Sequence, residues 1–150
     1  MAKMKFCLIS LLIVGMVKVQ SQSLDLQLKD KAIQKKLALY DHYIQITNPD
    51  SIASLYTPHG NLGDLAIGRD SIRKFLSKFK NIKVLYTHTE SESIQWINNN
   101  QAQQFGHYIQ KAVLPKGDTI QVKGEIQIWW SQTKPGDWFI EKVKTIPEKN

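Results

Sequence analysis

The segment "ALYDHYIQITNPDSIASLYTPHGNLGDLAIGRDSIRKFL", residues 38–76, decides the fold. It contains the end of one predicted helix, a short second helix and the start of a third. Asn48 and Pro49 begin the second helix, because Asn is a good N-cap and Pro fits the first helical position. The run "TPHG", residues 57–60, ends that helix. A third helix follows, for which Asp70 is the predicted cap.

Apolar residues in the first and third predicted helices recur with the period of an α-helix. In the first helix they are spaced four, three and four residues apart: Ile33, Leu37, Tyr40 and Ile44. The third helix has the same kind of face, formed by Ile72, Phe75, Leu76 and Phe79. Both helices are therefore expected to bury one side against the rest of the domain.

From Ile82 onward the apolar period changes to two, which is typical of β-strands. A short strand is predicted before the third helix and four long strands after it. Their predicted bounds are residues 61–67, 83–97, 101–114, 119–132 and 138–146. The turn-forming runs "NNN", "PKGD" and "KPGD" separate the long strands. Helices followed by an antiparallel meander indicate the α+β class.

The N-terminus has the features of a secretory signal peptide. Lys3 and Lys5 supply positive charge, and Phe6–Val17 is an apolar run that ends before a small residue suited to cleavage. This run is too short to cross a bilayer, which needs about 20 apolar residues. We expect residues 1–21 to be removed, with an uncleaved anchor as the alternative. Residues 22–150 would then be one exported domain, periplasmic or extracellular.

The composition excludes several classes of function. Cys7 lies within the predicted signal peptide, so the mature domain would have no disulfide, no thiol nucleophile and no Cys-based metal site. Loss of the three lysines before residue 22 lowers the net charge from +7 to +4. The remaining positive charge is interpreted as Lys dispersed between apolar residues, so no nucleic-acid partner is expected. Once the signal peptide is removed, no membrane partner is expected either. No nucleophile elbow, phosphate loop or dinucleotide motif occurs, so no cofactor is expected. Without a Cys or a tight His/Asp cluster, no metal is expected either.

The order of the predicted elements, with "ALYDHYIQITNPDSIASLYTPHG" followed by "IGRDSIRKFL", resembles the NTF2-like superfamily in its SnoaL-like and ketosteroid-isomerase-like branches. The resemblance covers residues 29–145. It implies a cone-shaped, strongly curved antiparallel sheet wrapped around three N-terminal helices, with a deep cavity at its wide end. It also implies a possible homodimer through the sheet face, where Trp129 is the candidate contact.

The resemblance extends to two side chains. Ketosteroid isomerases use a Tyr on the first helix as an oxyanion donor and an Asp after the second helix to move the proton, and these match Tyr40 and Asp64. The second acid of that site has no counterpart. The corresponding strand, "VKGEIQIWW" at residues 122–130, carries Glu125 on the face opposite its apolar residues. Steroid isomerase activity is therefore not implied.

Three residues are candidates for catalysis, each with a plainer alternative. Asp64 shares strand parity with Leu62, so it is expected to point inward and to have a raised pKa, unless it is a solvated turn residue. Tyr40 lies on the apolar helical face and either lines the cavity or packs in the core. His107 shares parity with Phe105 and other apolar residues, and so either lines the cavity or is a satisfied core or rim histidine.

Three hypotheses of function follow. The first is binding of a small, largely apolar ligand in the cone. The residues expected to line it are Tyr40, Leu55, Asp64, Phe75, His107 and Trp130. The second is cofactor-free acid–base catalysis, such as isomerisation, dehydration or cyclisation, with Asp64 as the base and Tyr40 or His107 as the donor. The third is a structural or interaction module that dimerises through the sheet.

Overall fold

The computed structural model describes residues 5–149, with side chains described from residue 23. The described residues divide into two compact units, with the boundary between Lys31 and Ala32. The first helix, α1, runs over Lys5–Gln45 and so includes most of the predicted signal peptide. The first four residues of the predicted signal peptide, and all its side chains, lie outside the described residues, so its cleavage stays a prediction. No helix within residues 5–149 has the length and hydropathy to cross a membrane.

The predicted apolar face of the first helix is confirmed in the second unit. Ile33, Leu37 and Tyr40 are buried, and Ile44 is half-buried. The helix ends at Gln45, and Thr47 adopts the left-handed conformation with φ 51°. The chain can therefore reverse direction before the second helix.

The second and third helices follow as the sequence predicts, with one correction. Helix α2 spans Pro49–Ser54, and the Asn48 side chain accepts the Ser51 N–H at 3.0 Å as the predicted cap. Helix α3 spans Arg69–Ser77, but its N-cap is Gly68, which has φ 85° and no side chain to donate or accept. Asp70 instead lies in the first turn, where its charge suits the positive end of the helix dipole.

Six strands form one curved, unclosed sheet. The strands are β1 (Tyr56–Leu62), β2 (Ala66–Ile67), β3 (Lys83–Asn98), β4 (Gln101–Val113), β5 (Thr119–Lys134) and β6 (Asp137–Pro147). Their order is β2-β1-β6-β5-β4-β3. The sheet is antiparallel except between β1 and β6, which pair in parallel, because α3 and the whole meander separate them in the chain. The predicted α+β class is confirmed.

The core lies between the three helices and the inner face of the sheet. Its largest fully buried side chains are Trp130, Trp138, Tyr56, Ile33, Ile72, Ile128, Ile140 and Val143. Gly106 on β4 lies against the carbonyl oxygen of Glu90 on β3, where any Cβ would collide with that backbone. The pairing of these two strands is irregular nearby, between Ser91 and Ser93. Glycine thus permits the close approach of two bent strands.

Candidate functional site

A cavity of about 290 Å³ lies between the helices and the inner face of the sheet. Most of its lining is aliphatic or aromatic. The lining residues are Tyr40, Ile44, Thr47, Pro49, Ile52, Leu62, Leu65, Phe75, Leu76, Phe79, Ile82, Val84 and Gln110. Two of them, Leu65 and Phe79, are 68% and 41% exposed, so they form the mouth of the cavity. A molecule can therefore enter without unfolding of the core.

Three polar side chains line the cavity, one from each of three structural elements. Tyr40 comes from α1, Thr47 from the turn after α1, and Gln110 from the inner face of β4. The Thr47 hydroxyl donates to the carbonyl oxygen of Ile82 at 3.5 Å. None of the lining residues carries a carboxylate, an imidazole, an amine or a guanidinium group. The cavity therefore offers hydrogen bonds but no counter-charge.

Tyr40 is the one side chain of the predicted catalytic set that lines this cavity. Its ring packs edge-on against Tyr56, with ring centroids 6.4 Å apart. Burial raises the pKa of both tyrosines above the usual value of 10.0, while the Tyr56 hydroxyl lowers the pKa of Tyr40 in part. Tyr40 is thus a neutral hydroxyl at physiological pH, suited to hydrogen bonding and not to acting as a base.

The structure places Asp64 outside the cavity, in the turn between β1 and β2. Its carboxylate accepts the Asn61 side-chain N–H at 2.8 Å and the Lys142 ammonium at 3.1 Å, and the side chain is 72% exposed. The hydrogen bond from Asn61, followed by Lys142, lowers the pKa of Asp64. The expected inward orientation and raised pKa are therefore wrong, and the alternative of a solvated turn residue is confirmed. Strand β1 ends at Leu62, and the left-handed turn at Gly63 and Asp64 breaks the parity that linked them.

His107 lies on the outer face of the sheet and not in the cavity. Its Nε2 is 2.9 Å from Glu92 Oε1, and half of its side-chain surface is exposed. The expectation that it shares an inward-facing surface with Phe105 is wrong, because the buried face of β4 carries the even-numbered residues instead. That face includes Ala102, Gln104, Gly106 and Ala112.

The remaining predicted lining residues divide between the cavity and the core. Phe75 lines the cavity. Leu55 and Trp130 are 5% and 1% exposed and belong to the core, away from the cavity wall. The Trp130 indole N–H donates to Gln104 Oε1 at 2.9 Å, which satisfies it internally. The structure therefore brings Tyr40 and Phe75 together and separates them from Asp64, His107, Leu55 and Trp130.

Sequence reasoning missed the polar side chain that faces the cavity from the sheet. Gln110 has the same parity on β4 as Gln104, and correct assignment of that parity would have identified it. Thr47, in the turn after α1, has no sequence signal that marks it as a lining residue. Within residues 23–149, no group of three His, Cys, Asp or Glu side chains is placed to hold a metal ion.

Comparison with known proteins relates the chain through its fold. No family model matches the sequence, and no curated protein matches it. Solved structures do match. A ketosteroid isomerase-like protein from Erwinia carotovora atroseptica superposes with a TM-score of 0.70 at 13% identity, covering 80% of this chain and 96% of that one. The chain has an NTF2-like fold.

Two further structures with this NTF2-like architecture are similar to the chain. A protein named after scytalone dehydratase, from Novosphingobium aromaticivorans, gives a TM-score of 0.75 at 14% identity over 85% of this chain and 89% of that one. A hexachlorocyclohexane dehydrochlorinase gives a TM-score of 0.71 at 10% identity over 85% of this chain and 90% of that one. At these identities the likeness establishes the NTF2-like fold and not a shared reaction.

Proposed function

We propose that this NTF2-like domain binds a small, uncharged and largely apolar molecule in the cavity. The observation that carries the proposal is the lining itself, which is apolar except for Tyr40, Thr47 and Gln110. Ligand pockets are typically apolar with a few convergent polar groups that fix the orientation of the ligand. A charged ligand would lose its hydration here without gaining a counter-ion. A neutral molecule with one or two polar atoms fits the lining best.

The cavity volume bounds the size of the ligand. A dry cavity of about 150 Å³ binds benzene, and pockets for drug-sized ligands begin at about 300 Å³. At about 290 Å³ this cavity suits a molecule larger than one benzene ring and smaller than most drugs. An aromatic compound of two or three rings, or a branched apolar molecule of similar size, is the expected class.

Acid–base catalysis is the less favoured reading. Several neighbours in fold have names of enzymes, an isomerase-like protein and a dehydrochlorinase among them. A cofactor-free isomerase or dehydratase needs a base within hydrogen-bonding reach of its substrate. Tyr40 is the one titratable side chain that lines this cavity, and its pKa is raised. Export of the domain and a homodimer through the sheet face at Trp129 stay predictions.

Blocking the cavity tests the proposal. The neutral fluorophore N-phenylnaphthylamine is titrated into the purified protein, and its emission is expected to rise on binding. Leu76→Trp adds bulk to the cavity wall and should weaken binding at least tenfold. The matched control, Ile120→Trp, adds the same bulk on β5 at a residue that is 39% exposed and does not line the cavity. Equal affinities for both variants would contradict the proposal.

The hydroxyl of Tyr40 can be tested separately with a ligand that carries an acceptor, such as acetylnaphthalene. Tyr40→Phe removes one hydrogen bond, which contributes about 0.5–1.5 kcal/mol, and should weaken binding about 2- to 12-fold. Tyr43→Phe is the control, since Tyr43 is on the same helix, is also packed against the core and does not line the cavity. Affinity for N-phenylnaphthylamine, which lacks a carbonyl acceptor, should change less.

A further inference from the structure

The segment that forms one wall of the cavity, residues 71–83, is strongly basic on its exposed side. The run "SIRKFLSKFKNIK", residues 71–83, contains five basic residues and no acidic one. Arg73 is paired with Asp70 at 2.9 Å and Asp50 at 3.8 Å. The other four, here called the mouth lysines, are exposed and form no salt bridge within residues 23–149. They are Lys74, Lys78, Lys80 and Lys83.

The mouth lysines alternate with side chains that line the cavity. Phe75 and Leu76 lie on α3 and Phe79 just beyond its end, and Ile82 precedes β3. Phe79 is 41% exposed although it lines the cavity, and the Lys78 ammonium lies 5.8 Å from the centre of the Phe75 ring. The same short segment therefore presents both an apolar rim and a cluster of positive charge at the mouth.

The turn between β1 and β2, together with β2 itself, continues this surface beside the mouth. Leu65 and Ile67 are 68% and 63% exposed, which is unusual for two large aliphatic side chains so close in sequence. A shallow groove beside the mouth is lined by both of them together with Lys74, Phe75 and Lys78. It also includes the carboxylate of Asp64, which is paired with the Lys142 ammonium at 3.1 Å. Exposed aliphatic groups and unpaired ammonium groups thus meet on one face, around the opening of the cavity.

We infer that this face docks on an anionic lipid surface, with the mouth of the cavity turned toward the bilayer. Lysines attract anionic headgroups, while Phe and Leu side chains insert at the boundary between headgroups and acyl chains. A lysine can lay its apolar stem along apolar surface and keep its ammonium group among the headgroups, so both interactions can form together. A neutral apolar molecule dissolved in the bilayer could then enter the cavity without crossing water. Docking itself does not depend on the proposed ligand.

The charge of this face favours an anionic lipid surface as its partner over a second copy of the chain. Two copies pressed together at the mouth would bring eight unpaired lysines into one interface, and like charges in contact oppose association. A membrane of anionic lipid supplies both the opposite charge and an apolar phase. This inference departs from the sequence-based expectation of no membrane partner, because only the folded chain brings the β1–β2 turn to the mouth lysines.

Sedimentation with lipid vesicles tests the inference. The probes are vesicles of phosphatidylcholine alone and of phosphatidylcholine with 30% phosphatidylserine, each at low and at high salt. Both the full chain and a chain that begins at Gln22 are measured, which separates any contribution of the apolar run Phe6–Val17. We expect both proteins to bind the phosphatidylserine vesicles more tightly, with a difference that high salt reduces.

Two pairs of variants locate the binding face. Lys74→Gln/Lys78→Gln should weaken binding to phosphatidylserine vesicles about 25-fold, since each lysine near such a surface contributes about fivefold. The control, Lys35→Gln/Lys134→Gln, removes the same charge from exposed positions near the Lys36–Asp137 ion pair and the β5–β6 turn, which line neither the cavity nor the groove, and should change binding less than twofold. Leu65→Ser/Ile67→Ser should weaken the binding that remains at high salt, and circular dichroism should show an unchanged fold.

Three results would overturn the inference. The first is equal binding to the two kinds of vesicle by the chain that begins at Gln22. The second is an equal loss in the two lysine double variants, which would reflect net charge and not this face. The third is a dimer, detected by analytical ultracentrifugation, that Leu65→Ser/Ile67→Ser dissociates while vesicle binding is absent. That result would assign the face to a second copy of the chain.

Discussion

Replacement of Gln104 by leucine would remove the centre of a buried hydrogen-bond network. Gln104 is 2% exposed, its Oε1 accepts the Trp130 indole N–H at 2.9 Å, and its Nε2 donates to Ser91 Oγ at 2.8 Å. Leucine has a similar volume but no polar atoms. The indole N–H of Trp130, on a side chain that is 1% exposed, would therefore lose its acceptor.

The cost follows from the groups that lose their partners. A buried donor without an acceptor destabilises a fold by about 1–3 kcal/mol. Ser91 Oγ also accepts the Gln34 side-chain N–H at 2.9 Å, so the hydroxyl of Ser91 keeps one hydrogen-bond partner and the cost at Ser91 is smaller. The better burial of leucine offsets part of the cost. We expect the free energy of unfolding to fall by about 2 kcal/mol and the melting temperature by about 8 °C.

Urea unfolding followed by tryptophan fluorescence measures this change. The slope of the free energy against urea should stay constant while the midpoint falls. Gln103→Leu is the control, since Gln103 is the neighbouring glutamine on the opposite, less buried face of β4, and its replacement should cost less than about 0.5 kcal/mol. If the Gln104 and Gln103 variants were equally stable, the network would not contribute as the structure indicates.

Three further predictions concern pH, packing and processing. The free energy of unfolding should fall as pH rises above 10, because burial raises the pKa of Tyr40 and Tyr56 and the unfolded chain then loses these protons first. Urea titrations at several pH values should show that this free energy falls less steeply with pH in the Tyr40→Phe/Tyr56→Phe variant. Asp41→Ala should lower the free energy of unfolding in urea by about 2–3 kcal/mol, because Asp41 accepts the N–H and hydroxyl of Thr89, both at 2.7 Å, whereas Asp41→Asn should cost less. N-terminal sequencing of exported protein should begin at Gln22, and an uncut chain would contradict the signal peptide.

The helices and the four long strands could be read from the sequence because their signals are local. The short strand predicted at residues 61–67 is wrong, since β1 already begins at Tyr56 and a turn separates it from β2. The period of the apolar residues in α1 and α3, the Asn48 cap and the turn-forming runs each depend on residues a few positions apart. The strand bounds differ from the prediction by at most two residues in the four long strands. The parallel pairing of β1 with β6 could not be read in this way, because it joins residues about 80 positions apart.

The position of Asp64 was missed because residues two apart face the same side only within a continuous strand. Strand β1 ends at Leu62, and the next two residues both have positive φ, 57° for Gly63 and 60° for Asp64. This turn rotates Asp64 away from the face of Leu62. The run Gly63-Asp64 is a common turn signal, so the alternative of a solvated turn residue was readable from the sequence.

The face of β4 was misassigned because its inner face is less apolar than its outer face. Small residues and glutamines point inward, where Gly106 permits the close approach of Glu90 and Gln104 has internal partners. Phe105 and Ile109 lie on the opposite face. An alternation rule that places apolar residues inside therefore selected His107 and overlooked Gln110. Only the partners across the sheet reveal which face is buried.

Methyl-selective NMR with N-phenylnaphthylamine tests the central claim of a ligand-binding cavity most directly. Saturation with the ligand should shift the methyl signals of Ile44, Ile52 and Ile82, which line the cavity, and leave those of Ile120 and Ile126 in place. Shifts confined to Ile120, on the exposed part of β5, or an unchanged spectrum at saturating ligand would contradict the account.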